Sequence, residues 1–330
     1  MRKNISISLA TAPFLVVLLA MTDYSCHTKK NDPNHPDSVF TASGKEWKAP
    51  DTSQLGHTIQ DELIRYGRTL ILHTANFFGP KGSIAHVSNG MNCENCHIEA
   101  GTRIWGNNFS MVATTYPLYR NRSGKIETVE MRINDCFERS LNGKKLPDTT
   151  KEMKALVAYI KWVGKDVKKG IKTKGSGIEK LPFLNRAADT IKGRIVYITI
   201  CQRCHGKNGE GKLADSRREY LYPPLWGRNS YNVGAGIYQL SKFAGYIKNN
   251  MPFGTTFASP QLTNEQAWDV AAFVNSQPRP LKDVKSDWPV ISAKPLDYPF
   301  GPYPDSFSIS QHKYGPFLPI QQLHIKLKSS

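Results

Sequence analysis

Cys93-Glu94-Asn95-Cys96-His97 and Cys201-Gln202-Arg203-Cys204-His205 decide the reading of this chain. Each is C-x-x-C-H. At that spacing two thiols add across the vinyl groups of a heme while the adjacent histidine is carried under the iron. A single copy is compatible with chance, a zinc half-site or a thiol-disulfide pair. Two copies argue against all three, since zinc would need further Cys or His ligands at matched spacing. The sequence therefore predicts two covalently bound heme c groups. Cys93, Cys96 and His97 hold one, and Cys201, Cys204 and His205 hold the other.

The two motifs stand in two halves that repeat the same order of elements, as an internal duplication does. In the first half an amphipathic stretch over residues 58–77 places Ile59, Leu63, Ile64, Leu70 and Ile71 on one face. A closing helix over residues 148–163 carries Met153, Leu156, Val157, Ile160 and Val163 on one face. In the second half a helix over residues 185–200 leads directly into Cys201, and a closing helix spans residues 263–275. Gly67 and Gly193 sit at matching places in the leading helices, where a missing Cβ lets the first and last helices of a domain cross closely. The predicted fold is mainly α: two cytochrome c-like helical domains in tandem, residues 55–165 and 185–278. Residues 27–54 and 166–184 read as linkers, with a Lys- and Gly-rich run at 164–177. Residues 279–330 read as an extended, proline-rich arm anchored by Tyr298, Phe300 and Tyr303.

The length of 330 residues suits two such domains plus extensions, and a hydrophobic content of 39% leaves part of each core to be supplied by a heme. The formal charge of +17 favours anionic partners: a small anionic substrate, an acidic redox protein or a membrane surface. No recognition motif for nucleic acid accompanies it. Arg2 and Lys3 precede an apolar run over residues 5–21, short for a membrane span and suited to a secretory signal. Cys26 follows, so residues 1–26 read as a lipoprotein signal with Cys26 as the acylated residue. Asp23 and Tyr24 stand where small or aliphatic residues are usual, which keeps ordinary cleavage nearby and an uncleaved anchor as the alternatives. Either way the folded part lies outside the cytoplasm, facing the periplasm.

The remaining axial ligands are less local. Met251 is the single methionine after His205, and Met251-Pro252 precedes the closing helix. A thioether presented by irregular backbone is what a His/Met heme needs; Lys248 is an outside alternative. For the first heme, Met111, Met131 and Cys136 compete, while Met153 belongs to its helix core. Cys136 lies in a helix predicted over residues 128–140 that ends near Asn142-Gly143. Arg132, Cys136 and Ser140 are four apart and share one face. Ile133, Phe137 and Leu141 form the neighbouring core stripe. A lone buried cysteine is usually inert packing. An arginine and a serine on its face suggest a reactive sulfur instead.

With these residues quoted, the chain resembles the diheme thiosulfate dehydrogenases and, more distantly, the cysteine-ligated cytochrome of the thiosulfate-oxidising multienzyme system. The resemblance rests on Asn92 to His97, on Arg132-Ile-Asn-Asp-Cys136-Phe-Glu-Arg-Ser140-Leu-Asn-Gly143, on Met251-Pro252, and on His312-Lys-Tyr-Gly-Pro-Phe317. It implies that Cys136 is the second axial ligand of the first heme, opposite His97, and that Arg122, Arg132 and Ser140 are active-site residues. Some members place a lysine where this chain has Asn250, so a plain His205/Met251 pair is expected here. The implied reaction joins two thiosulfates into tetrathionate and passes two electrons through the second heme to an external acceptor, a cytochrome or similar protein. Heme potentials set its direction, and tetrathionate reduction uses the same site. Two dianions repel strongly, so cations at the site are a physical requirement. The competing reading is a non-catalytic diheme electron carrier, which has no need of the Arg132/Cys136/Ser140 face.

Overall fold

In the computed structural model, which describes residues 41–329, the helices begin where their caps dictate. The Asp61 N–H donates to Thr58 Oγ1 at 3.1 Å, and the Thr58 N–H donates to the Asp61 carboxylate at 3.1 Å. This reciprocal cap starts α1 (Ile59–Leu72). Thr128 caps α2 (Val129–Arg139), and Thr150 caps α3 (Lys151–Val163). In the second half Asp189 caps α4 (Thr190–Val196) by accepting from the N–H groups of Ile191 and Lys192. A single π-helical turn, Tyr197–Cys201, follows and delivers the second heme motif. Then come α5 (Leu240–Asn250) and α6 (Asn264–Ser276), the latter with a Thr263/Gln266 capping box. The signal at residues 1–26, Cys26 and the first part of the 27–54 segment lie outside the described residues.

Several boundaries differ from the sequence expectation. Helix α4 starts five residues late because the preceding segment is claimed elsewhere: Arg186 binds Asp269 through both terminal nitrogens at 2.7 and 2.8 Å, and the Asp189 N–H donates to the same carboxylate at 2.7 Å. Ile59, expected in the core, is 92% exposed, because the first residue of α1 lies beyond the packed length of the helix. Each leading helix crosses its closing helix at the expected glycine. A Cβ on Gly67 would stand 2.0 Å from the Ala155 carbonyl oxygen, and one on Gly193 would stand 1.9 Å from that of Asp269.

The four strands that matter are short: β1 (Thr41–Glu46), β2 (Leu118–Arg120), β3 (Lys125–Glu127) and β4 (Ile171–Lys174). β2 and β3 form an antiparallel hairpin that carries Arg120 and leads to Arg122. β1 and β4 pair in parallel. The stretch after the first domain is thus tied back: the Trp105 and Asn107 N–H groups donate to the carbonyls of Gly175 and Gly177, both at 2.9 Å.

The arm is extended only in its first part. It ends in α7 (Ile309–Tyr314) and α8 (Leu318–Ser329), which the absence of clear periodicity in the sequence did not foretell. Ser308 caps α7. Asp305 then clasps both helices, accepting from His312 Nε2 at 3.0 Å and from His324 Nε2 at 2.7 Å. Tyr303 stacks on His312 with ring centroids 3.5 Å apart. Phe317 and Ile320 complete the second core. Two cores result, one per domain, and they meet along a polar seam: Asn89 Nδ2 to Ser230 O, Asn232 Nδ2 to Glu138 O, and Arg103 Nη2 to Thr255 O. Among the described residues no helix is long and apolar enough to cross a membrane.

Candidate active site

The two motif histidines share one arrangement. His97 Nδ1 donates to the Asn107 carbonyl at 2.5 Å, and His205 Nδ1 donates to the Pro223 carbonyl at 2.9 Å. This fixes each ring and leaves Nε2 free for a metal. Burial pushes His97 down to about 4, so its imidazole is neutral near pH 7, the form that ligates iron. Burial likewise lowers His205. Cys93, Cys96, Cys201 and Cys204 carry free thiols. Four unpaired thiols and two oriented, neutral imidazoles fit covalently attached heme at both motifs.

Helix α2 brings Cys136 to the first motif. Burial pushes the Cys93 and Cys96 thiols up to about 12, and the Cys136 sulfur adds to the shift at both. The charge of Arg132 is in turn felt at His97. Arg132 Nη1 donates to Cys136 Sγ at 3.1 Å and to Asp135 Oδ2 at 3.1 Å. Cys136 first, and then Asp135, hold the Arg132 guanidinium well above its usual pKa, against the cost of burial. Ser140 closes the helix one turn on, its N–H donating to the Cys136 carbonyl at 2.8 Å. Ile133, Phe137 and Leu141 are buried, as the stripe requires.

Around this face stands a charge network that sequence reasoning found only in part. Arg122, which is buried, uses Nε on Asp287 Oδ2 at 3.0 Å and Nη2 on the Gly234 carbonyl at 2.7 Å. Arg139 reaches Asp135 through Nε at 2.5 Å and Asp287 through Nη1 and Nη2 at 2.8 and 2.7 Å. Arg120 pairs with Glu127 at 3.0 Å and lies 3.6 Å from Asp135. Tyr298 donates to Asp287 at 3.0 Å. Burial raises the Asp135 carboxyl, but Arg132, Arg139, Arg122 and Arg120 outweigh it and hold the group below its usual range. Asp135 and Arg139 sit one residue before and three after Cys136, so helix spacing alone could have found them. Asp287 comes from the arm and has no such local signal. Asp287→Ala removes the carboxylate that Arg122 and Arg139 share and is expected to cost about 3 kcal/mol of stability. Thermal unfolding of the heme-loaded protein checks this.

In the second domain Met251 follows α5 directly, half-buried against the core, and the Asn250 amide donates to the carbonyls of Trp105 and Tyr246. Lys248 donates its ammonium to the Leu262 carbonyl, which occupies it away from Met251. Met111 and Met131 are half-buried in the first domain, Met111 against its core.

Residues 83–168 match the SoxA/TsdA cytochrome c domain family, and residues 188–274 match the family of cytochrome c oxidase, cbb3-type, subunit III. The thiosulfate dehydrogenase of Psychrobacter arcticus is 36% identical over 251 residues, 76% of this chain and 74% of that protein. The enzyme of the same name from Allochromatium vinosum is 42% identical over 199 residues, 59% of this chain and 72% of that protein. The chain belongs to the thiosulfate dehydrogenase family. As a family member built from two cytochrome c domains, it carries two covalent heme c groups. A solved thiosulfate dehydrogenase from Marichromatium purpuratum, in its as-isolated form, superposes with a TM-score of 0.65 at 32% identity. That alignment covers 71% of this chain and half of the other.

Proposed function

We propose that the protein oxidises thiosulfate, joining two molecules into tetrathionate with release of two electrons, at the face formed by Arg132, Cys136 and Ser140. The observation that carries the reading is the 3.1 Å hydrogen bond from Arg132 to Cys136 Sγ, set in a four-arginine network beside the first heme motif. Relatives named thiosulfate dehydrogenase, at 31–42% identity, support the substrate. In this reading His97 and Cys136 would hold the heme iron at the first motif, and His205 and Met251 that at the second. Two hemes so held would together supply the acceptance of two electrons that the oxidation requires.

The work of the protein's own residues is then mostly electrostatic. Arg122 and Arg132 hold sulfonate oxygens of a dianion, and Ser140 donates a hydrogen bond to one of them. The Cys136 sulfur forms a bond to the outer sulfur of the first thiosulfate, and two electrons leave. The second thiosulfate attacks that outer sulfur, the bond to Cys136 breaks, and tetrathionate departs with the cysteine sulfur restored as thiolate. The reverse sequence is tetrathionate reduction. Electrons pass from the second domain to an external cytochrome or similar acceptor. The protein is exported to face the periplasm, with Cys26 as its lipid attachment.

The test is direct. Addition of thiosulfate to the oxidised, heme-loaded protein is expected to reduce the hemes and yield one tetrathionate per two thiosulfates with an artificial acceptor present. Absence of both responses would refute the reading.

A further inference from the structure

Helix α5 belongs to the second domain, yet one of its faces addresses the first. Tyr246 donates through its hydroxyl to the Asn95 carbonyl, inside the first heme motif, at 2.9 Å. Asn250, one turn on, donates to Trp105 O at 3.1 Å. Lys242 lies one turn before Tyr246 and therefore continues the same stripe. The arm fixes where that first turn stands. Asp297 accepts from the Ser241 N–H at 2.9 Å and from Gln239 at 2.6 Å. Its neighbour Tyr298 underlies Arg122, whose guanidinium carbon is 6.0 Å from the ring centroid. Lys242 thus stands on the second domain's side of the seam, within the field of Arg122, Arg132 and Arg120.

Lys242 makes no hydrogen bond or ion pair with any described residue. Its side chain keeps access to solvent among densely packed protein atoms. Burial, followed by the charge of Arg122, pushes its ammonium down to about 8, with Arg132 and Arg120 adding to this and Asp297 opposing it. The surrounding charges explain why an extra cation belongs there. Arg120, Arg122, Arg132 and Arg139 are matched in number by Glu127, Asp135, Asp287 and Asp297. Beyond these pairs stand Lys294, which shares the field of Asp287, and Lys242, which has no hydrogen-bond or ion-pair partner among the described residues.

We infer that Lys242 is a binding residue for the second, attacking thiosulfate, supplying from the second domain a sulfonate subsite that faces the arginines of the first. The inference rests on the proposed thiosulfate chemistry and assigns it a further subsite. While the first thiosulfate engages Arg122 and Arg132, a second dianion has to approach it against their mutual repulsion. An ammonium on the facing domain offsets that repulsion without needing the bidentate geometry of an arginine.

Initial rates against thiosulfate concentration, on full-length heme-loaded protein with an artificial acceptor, test this. Lys242→Gln is expected to raise KM about tenfold or more, with a smaller fall in kcat and an unchanged heme spectrum. Lys242→Arg is expected to recover most of the loss, because it restores the charge. An active wild type with an unaltered KM in Lys242→Gln overturns the subsite and leaves the functional reading intact. Equal losses in both variants with a changed heme spectrum also overturn it, in favour of a structural role. A wild type that does not turn over thiosulfate overturns both.

Discussion

Cys136→Gly is expected to bind both hemes and to lose thiosulfate turnover by about 10³-fold or more, as removal of a covalently acting residue does in other enzymes. The two properties separate because heme attachment uses other residues: the thiols of Cys93 and Cys96 at the first motif and those of Cys201 and Cys204 at the second. Cys136 lies on α2, and Ile133, Phe137 and Leu141 anchor that helix in the core, so loss of the sulfur leaves the packed stripe in place. Arg132 loses one acceptor and keeps Asp135. The check pairs a heme stain and pyridine hemochrome content with a tetrathionate assay. Full heme content with wild-type turnover would remove Cys136 from the site. Low-temperature spin resonance of the wild type should also carry a thiolate signature that the variant lacks.

The second large effect is on folding. Gly67→Ala places a methyl group 2.0 Å from the Ala155 carbonyl oxygen and 2.7 Å from Tyr159 Cβ, both on α3. Backbone atoms cannot give way as the far end of a side chain does, so the two helices must separate and the first core must open. A cost of about 3 kcal/mol or more is expected, which for a chain of this size lowers Tm by on the order of 10 °C. Gly193→Ala repeats the clash against Asp269 in the second domain, with Phe273 Cβ 2.9 Å away. Thermal unfolding followed by circular dichroism measures both. A Tm within about 2 °C of wild type for Gly67→Ala would mean that the crossing is looser than drawn, since one kcal/mol corresponds to about that shift.

Much of this was legible because it is local. C-x-x-C-H is a five-residue pattern, the Thr-capped helices carry their own periodicity, and Gly67 and Gly193 announce themselves by matching places in a duplicated frame. The Arg132/Cys136/Ser140 face follows from helix spacing alone. What escaped depends on chain far away in sequence. Asp287 and Lys242 reach Arg122 only after the arm and α5 have docked, and no window of sequence holds both partners. The helices at the C-terminal end escaped for another reason: α7 and α8 are held by the Asp305 clasp to His312 and His324 and by Phe317 and Ile320 in the second core, and tertiary packing of this kind leaves little amphipathic rhythm to read. The late start of α4 belongs with them, because Asp269, eighty residues on, takes the N–H of Asp189 and the side chain of Arg186.

The place of Asp287 has a consequence for how the protein comes into being. Synthesis runs from the N-terminus, so both heme motifs, Cys136 and all four arginines emerge before the carboxylate that aligns Arg122 with Arg139. A chain clipped before the arm would keep both heme motifs. It would still lack the carboxylate that orders its guanidinium groups, and the Asp297 contact that seats Lys242. The Cys136 sulfur acquires its full setting of charge only once the last segment has docked, so the proposed site is the last part of the molecule to be completed.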